Sequence, residues 1–407
     1  MQKPSNPPAP RASAVSKARL HPDIFKLGWV SFLTDLSSEM IFAVFAIFFT
    51  TVAGASTTLL GLIEGLADLS ASSLNYLAGW LSDRGGKRKP FVMAGYGFST
   101  LAKTILLVSN SVVGLGLFRV IERLGKGFRG PPRDAWLSAI APQKSRGYAF
   151  GVHKALDKAG AVLGPLVAYA LLSWLGESPE AYRTLFWVAC VPALLSMLLL
   201  AWVKDQAGER PARESMGDSW QLLSPGFKRF LVPAGLFALA YFSLGFVLLK
   251  AHAVGFSATQ VVLLYALFNA TCVLAAPLVG MLGDGIGRGR VVVLGYALYG
   301  AICLWLAFAT SGWQIVVAFA LYGVFYAIED SQSKAMIADL EQDRRATAIG
   351  VYNAVTGMLY LPASLVAGAL WAIAPVFAFG VAALLSLLAI VVFVCVRPGH
   401  QLPSTRT

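Results

Sequence analysis

The sequence predicts an all-α polytopic membrane protein made of two pseudo-symmetric six-helix bundles. Three observations lead to this fold class: long apolar segments, basic connections between alternate segments, and loop residues that recur about 200 positions apart. Of the 407 residues, 57% are hydrophobic and only 13% are charged. A soluble domain carries about a quarter charged residues, so we expect this surface to be stable only against lipid.

Twelve apolar segments are long enough to cross a bilayer, which takes about 20 residues in a helix. Because lipid offers no water to backbone groups, these segments are expected to be helical. The predicted spans are 27–52, 57–81, 91–110, 112–132, 148–172, 183–203, 229–250, 258–282, 291–310, 313–337, 348–373 and 376–396. In the fourth span Gly125, Gly127, Pro131 and Pro132 predict a flexible or broken helix.

Basic residues occupy alternate connections between the spans. The connection around Arg84 to Lys89 is strongly basic, whereas those at 51–57 and 109–111 contain no Lys or Arg. Basic loops stay on the cytoplasmic side, and an even number of spans then places both termini there. We therefore expect an integral protein of a bacterial inner membrane, with the lipid bilayer as a partner.

Several function classes lack support in the sequence. The net charge of +12 is spread over the alternate loops and no groove-reading motif occurs, so no nucleic-acid partner is expected. There is no Gly-x-x-x-x-Gly-Lys-Ser/Thr sequence, which disfavours an ATP-driven pump. The four histidines are far apart, and the four cysteines lie in separate apolar segments. We expect no metal site, no disulfide and no cofactor.

Polar segments divide the chain. Residues 1–26 are polar, Pro-rich and basic, which predicts a disordered cytoplasmic tail. The polar stretch 204–228 lies at the midpoint and is interpreted as a cytoplasmic linker. It separates an N-terminal six-helix bundle at 27–203 from a C-terminal six-helix bundle at 229–396, and 397–407 form a second cytoplasmic tail.

The two halves repeat each other. Gly79-Trp-Leu-Ser-Asp83 aligns with Gly280-Met-Leu-Gly-Asp284, and basic residues follow both. The segments 146–152 and 345–351 align at nearly the same offset. Two matched loop signatures indicate duplication, and parallel repeats of this kind place a substrate site between the halves near the membrane midplane.

These residues resemble a known family. Gly79-x-Leu-x-Asp83-Arg84-x-Gly86-x-Arg88-Lys89 resembles the loop signature between helices 2 and 3 of the major facilitator superfamily, and Asp284 with Arg288 looks like its second copy. Arg119 resembles the family's helix-4 arginine. The resemblance implies a transporter that moves a small-molecule substrate by alternating access and is not an enzyme. We also expect a monomer.

Two motifs are candidates for gating. Gly79 allows close helix approach, and Asp83 can accept hydrogen bonds from helix amides or pair with an arginine. The proposed gate comprises Gly79, Asp83, Arg84, Arg88, Asp284 and Arg288; for the basic residues, a topology signal alone is the alternative. Gly160-x-x-x-Gly164-Pro165 is similar to the helix-5 motif of drug/proton antiporters, and ordinary helix packing is its alternative.

Ionisable residues inside spans are costly and therefore functional candidates. Asp35 and Glu39 share a helix face at i,i+4, which makes a proton carrier plausible; pairing with Arg119 or Arg123, or a wet vestibule, is the alternative. Glu64 and Asp68 repeat this spacing, and Glu64 lies near the periplasmic end, where water can solvate it. Lys103 is expected to snorkel outward.

The candidates for proton coupling or substrate binding come mostly from the N-terminal half. They are Asp35, Glu39, Asp68, Arg119, Glu122, Arg123, Arg133, Asp134, His153 and Asp157. The resulting hypothesis is a proton-coupled antiporter that exports an organic compound. Proton-coupled uptake of an anionic metabolite is the alternative, because the fourth span has a surplus of positive charge. A membrane-embedded enzyme is a second and less favoured alternative, since no catalytic constellation is recognisable.

Overall fold

The protein is described by a computed structural model. It covers residues 21–85, 87–109, 111–141, 146–205, 220, 223–341 and 345–398. At residues 76, 80, 83–85, 146–148 and 345–347 it describes the backbone only. Regular secondary structure in this part of the chain is entirely helical.

Helices match all twelve predicted spans. The N-terminal half contains α1 (Pro22–Ile47) with a π-helical turn (Phe48–Val52), α2 (Thr57–Gly85), α3 (Lys89–Val108), α4 (Val112–Ile140), α5 (Arg146–Leu175) and α6 (Pro179–Ala201). The C-terminal half contains α7 (Pro225–Ala240), α8 (Leu244–Ala253), α9 (Ala258–Ile286), α10 (Arg288–Phe308), α11 (Gly312–Leu340), α12 (Arg345–Ile373) and α13 (Pro375–Val396). The all-α fold class of two six-helix bundles is confirmed.

Within the described residues, ten segments are long and apolar enough to cross a membrane by length and composition alone, with α7 and α8 counted as one. The helices α2 and α4 are not among them. Both are 29 residues long, but they carry the acidic and basic residues of the second and fourth spans. Inside a membrane these charged side chains must either face a polar cavity or form ion pairs between the two helices.

The predicted break in α4 is wrong. The helix runs through Pro131 and Pro132 to Ile140. Neighbouring helices pack closely against it on two sides. This is shown by the space at two glycines: a Cβ on Gly125 would lie 2.6 Å from Ser99 Oγ of α3, and a Cβ on Gly127 would lie 2.3 Å from the Ala71 carbonyl oxygen of α2. Close packing of α4 on α3 and α2 therefore outweighs the local effect of the two prolines.

The seventh span, predicted as one helix, is two. The chain leaves the helix at Tyr241 and re-enters it at Leu244. The backbone groups freed by this break have partners: the Ala240 carbonyl accepts a bond from the Tyr299 hydroxyl at 3.0 Å, and the Ser243 hydroxyl accepts one from the Gly245 amide at 3.2 Å. Non-helical backbone at this depth is tolerated because protein groups satisfy it.

Helix packing defines two lobes. In the N-terminal lobe α1 packs on α5 and α6, and α4 packs on α2 and α3; in the C-terminal lobe α9 and α10 pack on α11, and α7 and α10 pack on α13. The lobes meet where α2 contacts α12 and where α5 contacts α9. The linker boundaries at 204 and 228 stay a prediction, because most of that segment is outside the described residues.

The two ends of the molecule differ. We call the end with the α2–α3 and α4–α5 connections the basic end, and the end with the connections at 53–56 and 109–111 the short-loop end. On the short-loop side, α2 and α12 touch backbone to backbone. A Cβ on Gly61 would lie 2.1 Å from the Ser364 carbonyl oxygen, and one on Gly65 would lie 2.8 Å from the Leu361 Cα. This contact closes the lobes together there.

Candidate functional site

A cavity of about 520 Å³ lies between the lobes. Its N-terminal wall carries Asp35, Glu39, Asp68, Arg119, Glu122, Arg123, Lys126, Arg129, Arg133, Asp134, Lys154, Asp157 and Lys158. Its C-terminal wall is largely aromatic, with Tyr241, Tyr265, Phe268, Tyr326 and Tyr360. The lining side chains of Asp134, Lys154 and Lys334 are 52%, 58% and 47% exposed, so the cavity opens at the basic end.

The structure brings together nine of the ten predicted site residues, all of which line this cavity. His153 is the exception. Its side chain is buried outside the lining, and its Nε2 has no hydrogen-bond partner in the described part of the chain. The location is therefore observed, while the roles of these residues stay a prediction.

An ion pair between Arg119 and Glu64 lies buried beside the cavity, with Arg119 in its lining. Arg119 Nε lies 2.6 Å from Glu64 Oε1, and a second guanidinium nitrogen lies 2.8 Å from Oε2. Both side chains are almost fully buried. The Ser243 hydroxyl of the other lobe donates to Glu64 Oε2 at 3.0 Å, and Arg119 stacks over the Phe42 ring at 4.4 Å. Glu64 is therefore not solvated, which sequence reasoning missed.

A second pair repeats the first one turn away. Arg123 donates to Asp68 at 2.7 Å, so acidic residues at i,i+4 on α2 meet basic residues at i,i+4 on α4. Residues four apart share a helix face, and the matching spacing on both helices is the sequence signal that predicts this ladder. The alternative that Arg119 or Arg123 neutralises Asp35 and Glu39 is wrong.

Asp35 and Glu39 project from α1 into the cavity. Glu39 accepts a hydrogen bond from the Tyr265 hydroxyl of the other lobe. Asp35 has no hydrogen bond or ion pair with any described residue, although it lines the cavity beside Glu39. Of the two carboxylates, Asp35 is thus the one that a proton or a substrate can reach without displacing a protein group.

Lys103 does not snorkel. Its side chain is 1% exposed, and its Nζ lies 3.1 Å from the hydroxyl of Ser38, which it can donate to. Ser38 lines the cavity between Asp35 and Glu39 on α1. The face of α3 that carries Lys103 is covered by other helices of the lobe, so the side chain points inward and not to the lipid.

Near the basic end, one arginine joins three helices. Arg133 on α4 donates to the Ser31 hydroxyl of α1 at 3.1 Å and lies 3.8 Å from Asp157 of α5. The same Ser31 hydroxyl donates to Asp157, and Arg133 also contacts Asp134. These contacts hold α1, α4 and α5 together beside the cavity opening.

The gating candidates are only partly described. The side chains of Asp83 and Arg84 lie outside the described residues. Arg88 directly precedes α3, and one of its guanidinium nitrogens has no hydrogen-bond partner in the described part of the chain. In the second copy, Arg288 lies 3.5 Å from Asp284 and 3.3 Å from Asp339 of α11. The gate itself stays a prediction.

Glycines confirm close helix packing in two of the motifs. A Cβ on Gly79 would lie 3.2 Å from the Pro131 ring of α4. On α5, a Cβ on Gly160 would lie 2.3 Å from the Phe32 carbonyl oxygen of α1, and one on Gly164 would lie 2.7 Å from that of Leu36. Pro165 follows within the same continuous helix. These residues set how closely α1 can approach α5 and so position Asp35.

At the short-loop end, Glu177 connects the lobes. This residue follows α5, and its carboxylate accepts hydrogen bonds from the amides of Ala258 and Thr259 at 3.2 and 2.7 Å. These amides begin α9 of the other lobe, where negative charge is favoured. Burial raises the pKa of the Glu177 carboxyl, but the Thr259 and Ala258 bonds outweigh that effect and hold the pKa below its usual 4.5.

Acid is therefore expected to loosen this end. A lowered pKa means that the contact stabilises closure above about pH 4.5 and that the contribution is lost as the pH falls through the lowered pKa. Spin labels at exposed positions 113 and 373 of the two lobes, in a Cys395→Ser background, should show distances that lengthen progressively as the pH is lowered from about 6 to about 3. Glu177→Gln should weaken this response and Glu180→Gln should not; an unchanged response in Glu177→Gln would contradict the role.

No metal centre is evident in the described part of the chain, where no three His, Cys, Asp or Glu side chains are grouped to hold an ion. The cysteines there are unpaired, with Cys190, Cys272 and Cys303 buried and Cys395 exposed. The chemistry available in the cavity is thus proton binding, ion pairing, hydrogen bonding and aromatic stacking.

Two lobes of membrane-spanning helices around a charged central cavity define a transporter of small solutes. Family comparison agrees: the Major Facilitator Superfamily sequence profile matches residues 27–253 and 234–407. The chain belongs to this superfamily, as the loop signature predicted. Its members are transporters that carry small molecules, and this chain is an integral membrane protein of that kind.

Relatives and solved structures support this assignment. The chain is 35% identical over 367 residues to an uncharacterised MFS-type transporter of Methanocaldococcus jannaschii. The aligned region covers 88% of this chain and 91% of that relative. It is 30% identical over 210 residues, half of each chain, to the multidrug resistance protein MdtH of Cronobacter sakazakii. The fold is similar to that of the nucleoside transporter NupG, with a TM-score of 0.77, 12% identity, and coverage of 92% of this chain and 99% of that chain.

Proposed function

We propose that this protein is a proton-coupled antiporter that exports an organic compound. The observation that carries the proposal is the environment of Asp35. Among the described carboxylates that line the cavity, Glu122, Asp68, Asp134, Asp157 and Asp330 each lie within 4.0 Å of a cation, and Glu39 and Glu329 each accept a tyrosine bond. Asp35 alone has neither.

A free carboxylate at this depth suits exchange. A lone charge inside a membrane protein is costly. Neutralisation of Asp35 by a proton or by a positively charged group therefore lowers the free energy. A proton and a substrate donor that compete for the same carboxylate exchange one for the other, which is the requirement for antiport. The fixed pairs Glu64–Arg119 and Asp68–Arg123 are already neutralised and provide the scaffold.

Export is favoured by two further observations. The sequence of Gly160, Gly164 and Pro165 resembles the helix-5 motif of drug/proton antiporters. In addition, one relative over half of the chain is named a multidrug resistance protein. In the expected topology the cavity faces the cytoplasm in this conformation, from which an exporter loads its substrate.

A second function is favoured by Lys126. This exposed lysine lines the cavity and forms no hydrogen bond or ion pair with a described residue. An anionic metabolite can bind it, and protonation of Asp35 would then strengthen anion binding by removing a negative charge. Proton and anion then promote each other's binding, whereas in antiport proton and substrate compete. Binding of both together gives proton-coupled uptake of the anion.

The sign of proton movement separates the two functions. In proteoliposomes loaded with ethidium as a cationic probe, efflux of the probe should acidify the lumen if protons enter in exchange, as a trapped pH dye reports. Asp35→Asn should abolish this acidification, because an amide cannot take up the proton. Asp205→Asn, at a site outside the cavity, should behave as wild type. Probe efflux with an unchanged lumen pH, or full acidification in Asp35→Asn, would refute the proposal.

A further inference from the structure

Among the described charged side chains that line the cavity, two have no ion pair, hydrogen bond or ring contact. They are Asp35 of α1 and Lys126 of α4, which have opposite sign. The other lining lysines have partners, since Lys154 lies 3.7 Å from Asp157, Lys158 lies over the Tyr326 ring at 5.7 Å, and Lys334 is paired to Asp330. The two remaining charges are therefore the groups that a bound ligand can satisfy.

Their positions suit one ligand. Lys126 follows the first residue of α4 by about 14 positions, or about 21 Å at the rise of an α-helix. Asp35 lies about 17 positions before the end of the π-helical turn, or about 26 Å from the same end of the molecule. Both side chains line the same cavity, and they form no ion pair with each other. One ligand in the cavity can therefore contact both.

The opposite wall favours a flat apolar body. Tyr265 and Phe268 stack with ring centroids 5.7 Å apart, and Phe268 meets Tyr326 edge to face at 5.5 Å. All three line the cavity. Aromatic rings on a ligand pack well in such offset and edge-on arrangements, and a ligand ammonium is attracted to the ring faces as well.

From these observations we propose that the cavity recognises a zwitterion with an aromatic body, whose carboxylate binds Lys126 and whose ammonium binds Asp35. The inference rests on the proposed antiport, because the ligand ammonium is the group that displaces the proton from Asp35. A purely cationic ligand would leave Lys126 without a counter-charge. A purely anionic ligand would leave Asp35 without one. Each unpaired charge costs affinity once the ligand excludes water.

Three probes with one aromatic body test the proposal. Phenylalanine carries both charges, phenethylamine carries the ammonium alone, and 3-phenylpropanoate carries the carboxylate alone. Calorimetric titration of the purified full-length protein in detergent at neutral pH measures binding without any transport. Phenylalanine is expected to bind about tenfold or more tightly than either of the others, since each charge-assisted contact contributes that much.

Two variants should give a crossed pattern. Lys126→Gln is expected to weaken the binding of phenylalanine about tenfold or more and not to weaken that of phenethylamine, because this probe makes no contact with Lys126. Asp35→Asn should weaken the binding of phenylalanine about tenfold or more and should not weaken that of 3-phenylpropanoate, which makes no contact with Asp35. Lys204→Gln, an exposed site at the end of α6, is the matched control and should not alter any of the three affinities.

Several outcomes would overturn the inference. These are equal affinity of phenylalanine and a singly charged probe, an equal loss for all three probes in Lys126→Gln, and no binding of any probe. Failure of the antiport proposal is distinguishable, because it would show as crossed binding in detergent together with no proton movement in proteoliposomes.

Discussion

Replacing Arg119 with methionine is expected to be the most destabilising single change in the N-terminal lobe. Its guanidinium holds Glu64 through two short bonds in a site where both side chains are nearly inaccessible. Removing one partner of a buried pair leaves an uncompensated charge and costs about 3–5 kcal/mol. The Ser243 hydroxyl alone cannot replace the lost cation.

The neighbouring pair provides the control. Arg123 and Asp68 have the same register on the same two helices, but their side chains are 25% and 21% exposed to the cavity. Arg123→Met should therefore lower the thermal unfolding midpoint in detergent less than Arg119→Met does. The double variant Glu64→Met with Arg119→Met should recover part of the loss, because no charge stays buried at Glu64. Equal midpoints for Arg119→Met and wild type would contradict this account.

The second large effect is expected at the contact between α2 and α12. Gly61→Ala or Gly65→Ala places a methyl group against backbone atoms of the other lobe, which cannot yield as a side-chain end can. Overpacking of this kind costs about 1–3 kcal/mol. Because the clash exists only while the short-loop end is closed, the cost falls on that conformation and shifts the equilibrium about fivefold to 150-fold toward the open one.

Spin labels at positions 113 and 373 measure this shift directly. The alanine variants should move the distance distribution toward longer values at neutral pH. Gly380→Ala is the matched control, because a Cβ there meets nothing within 4 Å, and it should leave the distribution unchanged. A wild-type distribution in both Gly61→Ala and Gly65→Ala would show that this contact does not control closure.

Most of the architecture could be predicted from the sequence. The twelve spans follow from the length of apolar runs, and the family follows from one loop signature around Gly79 and Asp83. The cavity location of Asp35, Glu39 and the charged face of α4 follows as well, because charge inside a membrane must face a polar space. The breaks were less predictable: proline suggested one in α4, where packing of Gly125 and Gly127 prevents it, and none was evident at Tyr241.

The sequence by itself determined which residues have to lie inside the membrane protein and away from lipid, since that depends on the transfer cost of each side chain. Only the tertiary structure decided which charges neutralise each other. Glu64 takes Arg119 because α2 and α4 pack in register, and Asp35 is left free because α1 faces the cavity. Pairing depends on distances between helices far apart in the chain, and the amino-acid order does not specify those distances locally.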